Sequence, residues 1–415
     1  MKFEDYNFSD EVKMSIGKLG FKKPTDIQFK TIPHILKGED VLAIAQTGTG
    51  KTAAFAIPII EKLHSRKKNQ TRKDGIKAIV MVPTRELALQ IFEVFQELAG
   101  NTRVKSFCVF GGVEQGPQIS KLEKGIDILI ATPGRMFDLV SQGYIKLNRI
   151  NTLVLDEADH MLDLGFIKDI RDLIRHLPKE RQTLFFSATI DHEIKKLAYS
   201  LVTNPIRIQI SPKDPVSKNV DHAIAFVEMD DKRFFLEKII KNYPKSKFVV
   251  FTRTKIRAER VLKAMERVNI DALSIHGDKE QKERLDVMSR FKKGETLILI
   301  ATEVSARGID IPNVDFVVNY DIPEQAENYV HRVGRTGRGT KRGQAFSFCS
   351  QQELPLLKEI EELIGKKIAT LEIDKTNYNQ IKIESEETHS DWKTLMKDID
   401  QEEKAYKSRK RKKRK

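Results

Sequence analysis

The sequence predicts two tandem α/β domains, each a mostly parallel sheet with helices on both faces, followed by a polar, basic tail. Three observations carry this. Short apolar runs alternate with amphipathic stretches along most of the chain, the pattern of strands buried on both faces between covering helices. The alternation breaks once, at Ser211-Pro212-Lys213-Asp214-Pro215-Val216-Ser217-Lys218, where two prolines and little apolar content mark a linker. The length, 415 residues, suits two or three domains at about 150 residues each.

In the first half the apolar runs 41–45, 78–82, 126–130, 152–155 and 183–186 read as strands, with helices such as 85–98 and 166–177 between them. In the second half, strands are expected at 223–227, 248–251, 297–300, 316–318 and 345–348. The domain boundaries follow: 1–210, a linker at 211–218, 219–368, and an extended or disordered tail over 369–415, in which Trp392, the only tryptophan, either packs locally or sits in a short helix.

Hydrophobic residues make up 40% and charged residues 32% of the chain, which excludes wholesale disorder. The net charge is +14, and eight of the positive side chains fall within the last nine residues, 407–415. A mildly basic body with a strongly basic end suits a polyanionic partner. Cys108 and Cys349 are too few and too far apart for a disulfide framework or a clustered zinc site. Neither a secretory leader nor 18 consecutive apolar residues can be found. The expectation is a cytoplasmic protein with no membrane attachment and a monomeric core.

Ala45-Gln46-Thr47-Gly48-Thr49-Gly50-Lys51-Thr52 follows an expected strand and opens an expected helix, the context a phosphate-binding loop requires. Glycines let backbone N–H groups approach phosphates, and the helix N-terminus adds a favourable field. Lys51 would reach the β- and γ-phosphates and Thr52 would ligate Mg²⁺. Asp156 and Glu157 end the run Leu153-Val154-Leu155, the strand edge where open α/β sheets bind ligands. Asp156 would hold Mg²⁺ through water, and Glu157 would orient and deprotonate the attacking water. Arg332, Arg335 and Arg338 lie within seven residues. Taken alone they fit a solvated basic loop as well as a transition-state clamp from Arg335 and Arg338.

Together these motifs resemble the DEAD-box RNA helicases over nearly all of 1–368. The matching segments are Phe21, Pro24, Thr25 and Gln28 with an upstream aromatic at Phe3; Pro83-Thr84-Arg85-Glu86-Leu87-Ala88; Gly111-Gly112; Thr132-Pro133-Gly134-Arg135; Asp156-Glu157-Ala158-Asp159; Ser187-Ala188-Thr189; His276-Gly277 with Gln281 and Arg284; Ala306-Arg307-Gly308-Ile309-Asp310; and His331 to Arg338. The wording around Val109–Val113 and Gly165–Ile167, with the basic tail, looks closest to the bacterial RhlE-like branch. One departure is Glu303, where the family usually has Asp; the longer carboxylate is expected to change little.

The resemblance implies two RecA-like domains and an RNA-dependent ATPase that unwinds short duplexes locally and remodels ribonucleoproteins, with ATP and Mg²⁺ as cofactors. It implies that Phe21 stacks on adenine and Gln28 reads its edge, one donor and one acceptor facing the N6 and N7 positions. It implies that Asp310 contacts the ribose, that His331 bridges to the acidic motif, and that Ser187 and Thr189 relay nucleotide state to the RNA face. RNA backbone contacts are implied for Thr84, Arg85, Gly112, Thr132, Arg135, Arg253 and Thr302. Such contacts position a strand without reading its sequence. Partners in ribosome assembly or RNA decay would fit, and the tail would tether RNA nonspecifically. Two other readings remain open at this point: a DNA-directed helicase, and an RNA clamp or annealing chaperone with incidental ATP turnover.

Overall fold

The computed structural model describes residues 1–46, 48–67, 75–189, 192–210, 216, 219–302, 314–337 and 342–385. The chain separates into two compact units that divide after Pro215.

In the first unit the strands are β1 (Val41–Ala45), β2 (Ala78–Met81), β3 (Ser106–Val109), β4 (Ile128–Ala131), β5 (Thr152–Leu155), β6 (Gln182–Ser187) and β7 (Ile206–Ile210). They form one sheet in the order β3-β4-β2-β5-β6-β1-β7, and every pairing is parallel. The helices are α1 (Asp10–Lys18), α2 (Asp26–Lys37), α3 (Lys51–Arg66), α4 (Arg85–Ala99), α5 (Gly116–Glu123), α6 (Pro133–Ser141), α7 (Ala158–Asp163), α8 (Ile167–His176) and α9 (His192–Leu201).

Successive strand residues point to opposite faces. Val41, Ala43 and Ala45 of β1 and Leu184 and Phe186 of β6 therefore share a core with α1–α4. Leu42, Ile44 and Phe185 share a second core with α5–α9. Both faces are dry, which is why these strands read as unbroken apolar runs.

In the second unit the strands are β8 (Val220–Phe226), β9 (Phe248–Thr252), β10 (Leu273–Ile275), β11 (Ile298–Thr302), β12 (Phe316–Asn319), β13 (Gly343–Cys349) and β14 (Ala369–Thr370). Their order is β10-β11-β9-β12-β13-β8-β14, again all parallel. The helices described are α10 (Lys232–Asn242), α11 (Lys255–Arg267), α12 (Gln281–Lys293), α13 (Ala326–Val333), α14 (Leu354–Ile364) and α15 (Lys375–Glu384).

The expected strands are the ten interior ones. Those absent from the expectation are β3, β7, β10 and β14, the four sheet edges. An edge strand is paired on one side only and is less covered, so it lacks the continuous apolar signature; β7 alternates buried Ile208 with exposed Arg207 and Gln209.

The expectation of disorder from 369 onward also needs correction. β14 pairs with β8, and Ile373, Tyr378 and Ile381 pack against the core of the second unit. The Tyr378 hydroxyl donates to Asp231 at 2.9 Å and Lys382 pairs with the same carboxylate at 3.0 Å. Structure thus continues past 369 at least as far as Ser385, whose hydroxyl donates to Glu237. Trp392 and the 407–415 basic run lie outside the described residues, as does all but Val216 of the expected linker.

Candidate active site

The strand order brings the candidate nucleotide groups together. β5, β6 and β1 are adjacent, so their C-terminal ends lie within about 10 Å of one another. β1 ends at Ala45 and runs through Gln46 into the glycine loop; β5 ends beside Asp156; β6 ends at Ser187. The loop turns through left-handed backbone at Gly48 (φ +80°) and Gly50 (φ +92°), and α3 begins at Lys51. The Thr49 hydroxyl donates to the Gln46 carbonyl at 2.8 Å, and Thr52 follows in the first turn of α3.

Lys51 is buried, and its Nζ has no hydrogen-bond partner among the described residues. Asp156 is 3% exposed. Burial pushes its carboxyl up to about 6, with Lys51 pulling it down and Glu157 and Asp159 pushing it further up. A buried ammonium without an acceptor and a buried carboxylate short of positive charge define a place for an anion and a cation.

Glu157 sits in left-handed backbone (φ +52°), and its N–H donates to Asp156 Oδ1 at 3.0 Å. Asp159 faces β6: its Oδ2 accepts from the N–H groups of Ala188 and Thr189 and from the Thr189 hydroxyl, at 3.0, 3.1 and 3.3 Å. The Ser187 hydroxyl is buried and has no partner among the described residues.

Gln28 reaches the glycine loop from α2. Its Oε1 accepts from the Thr25 N–H at 2.9 Å, and its Nε2 donates to the Gly50 carbonyl at 3.1 Å. These bonds fix the amide orientation and leave one N–H and one lone pair. Phe21, 36% exposed, stacks on Phe3, and the series continues through Tyr6 to Phe8.

The candidate RNA groups of this unit follow β2, β4 and β3, the neighbouring strands on the other side of β5. The Thr84 hydroxyl caps α4 by accepting from Leu87 N–H at 3.3 Å. Arg85 lies directly over Gly112: a Cβ there would stand 2.0 Å from its Nη1. Thr132 precedes Pro133 at the start of α6, and Arg135 Nη2 donates to the Val113 carbonyl at 2.9 Å.

In the second unit, Arg253 follows β9 and is held internally. Its Nη2 donates to Glu353 at 3.0 Å and to the Ile322 carbonyl at 3.2 Å, and its N–H donates to Asp321. Its side chain stays 32% exposed. Thr302 ends β11, beside Thr252 of β9. His331 lies in α13, and Arg335 follows that helix, its N–H bonded to the Arg332 carbonyl at 3.0 Å. Thr47, Asp310 and Arg338, and the Glu303 departure, lie outside the described residues.

Residues 25–197 match the family model for the DEAD/DEAH box helicases, and residues 231–340 match that for the helicase conserved C-terminal domain. The DEAD-box ATP-dependent RNA helicase CshA of Bacillus subtilis is 39% identical over 368 residues, covering 88% of this chain and 73% of that protein. This chain belongs to the DEAD-box ATP-dependent RNA helicases. The ATP-dependent RNA helicase CshA of Listeria monocytogenes is 37% identical over 96% of this chain and 78% of its own length. Among solved structures, the helicase Mss116 bound to single-stranded RNA and UDP-BeF superposes with a TM-score of 0.81 at 31% identity, covering 91% of this chain and 81% of that one. Dbp5 of S. cerevisiae, bound to RNA and ADP BeF3, gives 0.79 at 29%, covering 92% and 98%.

Two sets of residues in this helicase are not legible from local sequence. The acidic motif does not show that the Asp159 carboxylate organises the Ser187-Ala188-Thr189 segment. Nor does any motif mark the buried group Lys232, Asp321 and Glu353. Lys232 Nζ is fully buried, 2.5 Å from Glu353 and 3.7 Å from Asp321. No local spacing announces a pair 121 residues apart. No helix among the described residues is long and apolar enough to cross a membrane.

Proposed function

We propose that this ATP-dependent RNA helicase couples one ATP cycle to local, non-processive opening of a short RNA duplex. The observation that carries the reading is the Lys51–Asp156 arrangement: a buried, unbonded ammonium and a buried, up-shifted carboxylate at the ends of the two strands that flank β6.

Lys51 and the N–H groups of 46–51 bind the phosphates, while Phe21 and the free donor and acceptor of Gln28 hold adenine. Thr52 and Asp156 fit Mg²⁺, which when bound neutralises phosphate charge. Glu157 takes the proton of the attacking water. Arg335 and Arg338 stabilise the charge developing on the transferred phosphoryl group, with His331 beside the acidic motif and Asp310 on the ribose. Asp159 passes the state of this site to Ser187 and Thr189.

Thr84, Arg85, Gly112, Thr132 and Arg135, with Arg253 and Thr302, hold the backbone of one RNA strand. The structures of Mss116 and Dbp5 contain RNA, which supports extending that ligand to this chain. Binding bends the strand away from A-form, base pairs are lost locally, and hydrolysis resets the enzyme. The basic 407–415 run tethers RNA, and the protein works in the cytoplasm. The RhlE-like placement rests on sequence wording alone; the relatives described above carry the name CshA.

The test is steady-state ATPase without nucleic acid, with single-stranded RNA, and with DNA of equal length. Stimulation by RNA alone supports the proposal. Equal stimulation by DNA would redirect it to a DNA translocase. Repeated unwinding by Glu157→Gln at the wild-type rate would leave an annealing chaperone.

A further inference from the structure

Each carboxylate of the acidic motif has its own surroundings. Asp156 is buried against Lys51, and Asp159 is committed to Ala188 and Thr189. Glu157 is different. Its side chain is 12% exposed, and Oε2 lies 3.6 Å from Nδ1 of His160. The two residues are three apart at the start of α7, the spacing that puts side chains on one helical face.

His160 is 4% exposed, and its Nδ1 has no hydrogen-bond partner among the described residues. Its own N–H is tied to Asp159 Oδ1 at 3.1 Å, and α7 is seated by buried Ala158 and Met161. The imidazole is therefore a buried ring on an anchored backbone, with one nitrogen that has no partner among the described residues, and the Glu157 carboxylate lies 3.6 Å from it. A general base works only when held within hydrogen-bond reach of the proton it removes, and such contacts tighten on substrate binding.

We propose that His160, through Nδ1, is a positioning residue that holds the Glu157 carboxylate in the orientation from which it deprotonates the attacking water. This rests on Glu157 being the base, as proposed above. His160 touches no substrate; it acts through Glu157.

The test uses the full chain with saturating RNA and compares His160→Ala, His160→Leu, His160→Asn and Glu157→Gln. Asn offers an N–H near the position of Nδ1, whereas Leu fills the ring's volume with no donor. His160→Ala and His160→Leu should lower kcat by roughly tenfold to a hundredfold, the scale of a misplaced catalytic group. ATP KM should stay unchanged, and His160→Asn should recover most of kcat. Adding His160→Ala to Glu157→Gln should cost nothing more, since both act on one step. If His160→Leu performs as well as His160→Asn, the ring only packs and the proposal is overturned. If all three retain wild-type kcat while Glu157→Gln is inactive, positioning alone is refuted and the base assignment stands. A fully active Glu157→Gln would overturn both.

Discussion

Asp159 and Thr189 are joined through a single oxygen. Oδ2 of Asp159 accepts the Thr189 backbone N–H at 3.1 Å and its hydroxyl at 3.3 Å, with the Ala188 N–H as a third donor at 3.0 Å. The last carboxylate of the acidic motif is thus the fastening point of the segment after β6. That segment leaves the sheet between the strand carrying the glycine loop and the strand carrying Asp156. The relay proposed above would run through this one oxygen.

Replacing Asp159 by Ala should separate hydrolysis from unwinding. Hydrogen bonds to a charged acceptor contribute about 1.5–3 kcal/mol each, so freeing the segment should lower unwinding roughly tenfold or more. ATP affinity should hold, since Lys51 and the glycine loop are untouched. Strand displacement and ATPase measured on the same samples check this; equal loss of both would remove the relay role.

Gly112→Ala should weaken RNA binding through Arg85. The new Cβ would stand 2.0 Å from Arg85 Nη1 and 2.6 Å from its Cζ, so the guanidinium must leave. The left-handed backbone (φ +78°) adds about 1–2 kcal/mol of strain. If Arg85 neutralises one phosphate, the slope of log affinity against log salt should fall by about 0.7 for single-stranded RNA. ATP binding without RNA should not move. An unchanged slope would take Arg85 off the phosphates.

The sequence was legible where one element carries the whole signal. Eight of the ten interior strands announce themselves because both faces are dry, β8 and β13 being the partly exposed exceptions, and the glycine loop and acidic motif because their chemistry is local. What escaped depends on partners far along the chain. Asp159 needed β6 beside β5, and Glu353 needed Lys232 and Arg253. Helix α15 is polar and is held by partners far along the chain, among them Asp231, which takes Tyr378 and Lys382, and Lys238, which pairs with Glu384. Its one local signal was Asp374, whose carboxylate caps the helix by accepting from Asn377 N–H at 2.7 Å.

Lys232→Met should destabilise the second unit. Burial lowers the lysine's pKa while Glu353 and Asp321 raise it, so the ammonium persists only through its partners. Breaking a buried pair from one side costs about 3–5 kcal/mol. Glu353 keeps Arg253, Ser350 and the Ile322 N–H, which places the loss near the lower end. Denaturant unfolding of the full chain reads this directly. A loss below about 1 kcal/mol, the level of an exposed pair, would mean that Glu353 is adequately compensated without Lys232.

Glu259 gives the second unit a sensitivity to acid. The hydrogen bond from His276 holds its carboxyl down to about 2, against the ordinary 4.5, with burial opposing and Ser274 and Lys279 assisting. A depressed carboxyl contributes stability above its unfolded pKa and loses it as pH falls through the folded one. Glu259→Gln should therefore melt earlier than wild type above pH 4.5, and the gap should close as pH falls towards 2. A gap independent of pH would show that the carboxylate's charge is not what matters.

Asp156 has the opposite sign. Its carboxyl is raised from 3.8 to about 6 by burial, against the pull of Lys51. A raised carboxyl favours the folded state most below its unfolded pKa, and that advantage is gone above its folded pKa. Ionisation therefore costs the fold roughly 3 kcal/mol above pH 6. Asp156→Asn removes the charge and should raise the melting temperature of the nucleotide-free protein above pH 6, with little change below 3.8. The same variant should lose ATP hydrolysis, and adding Mg²⁺ to ATP should no longer stabilise it beyond ATP alone. A buried carboxylate whose ionisation weakens the fold is intelligible if a cation is to be held there. Should Asp156→Asn prove less stable than wild type above pH 6, the carboxylate would belong to the packing of the unit and the cation site would have to be sought elsewhere.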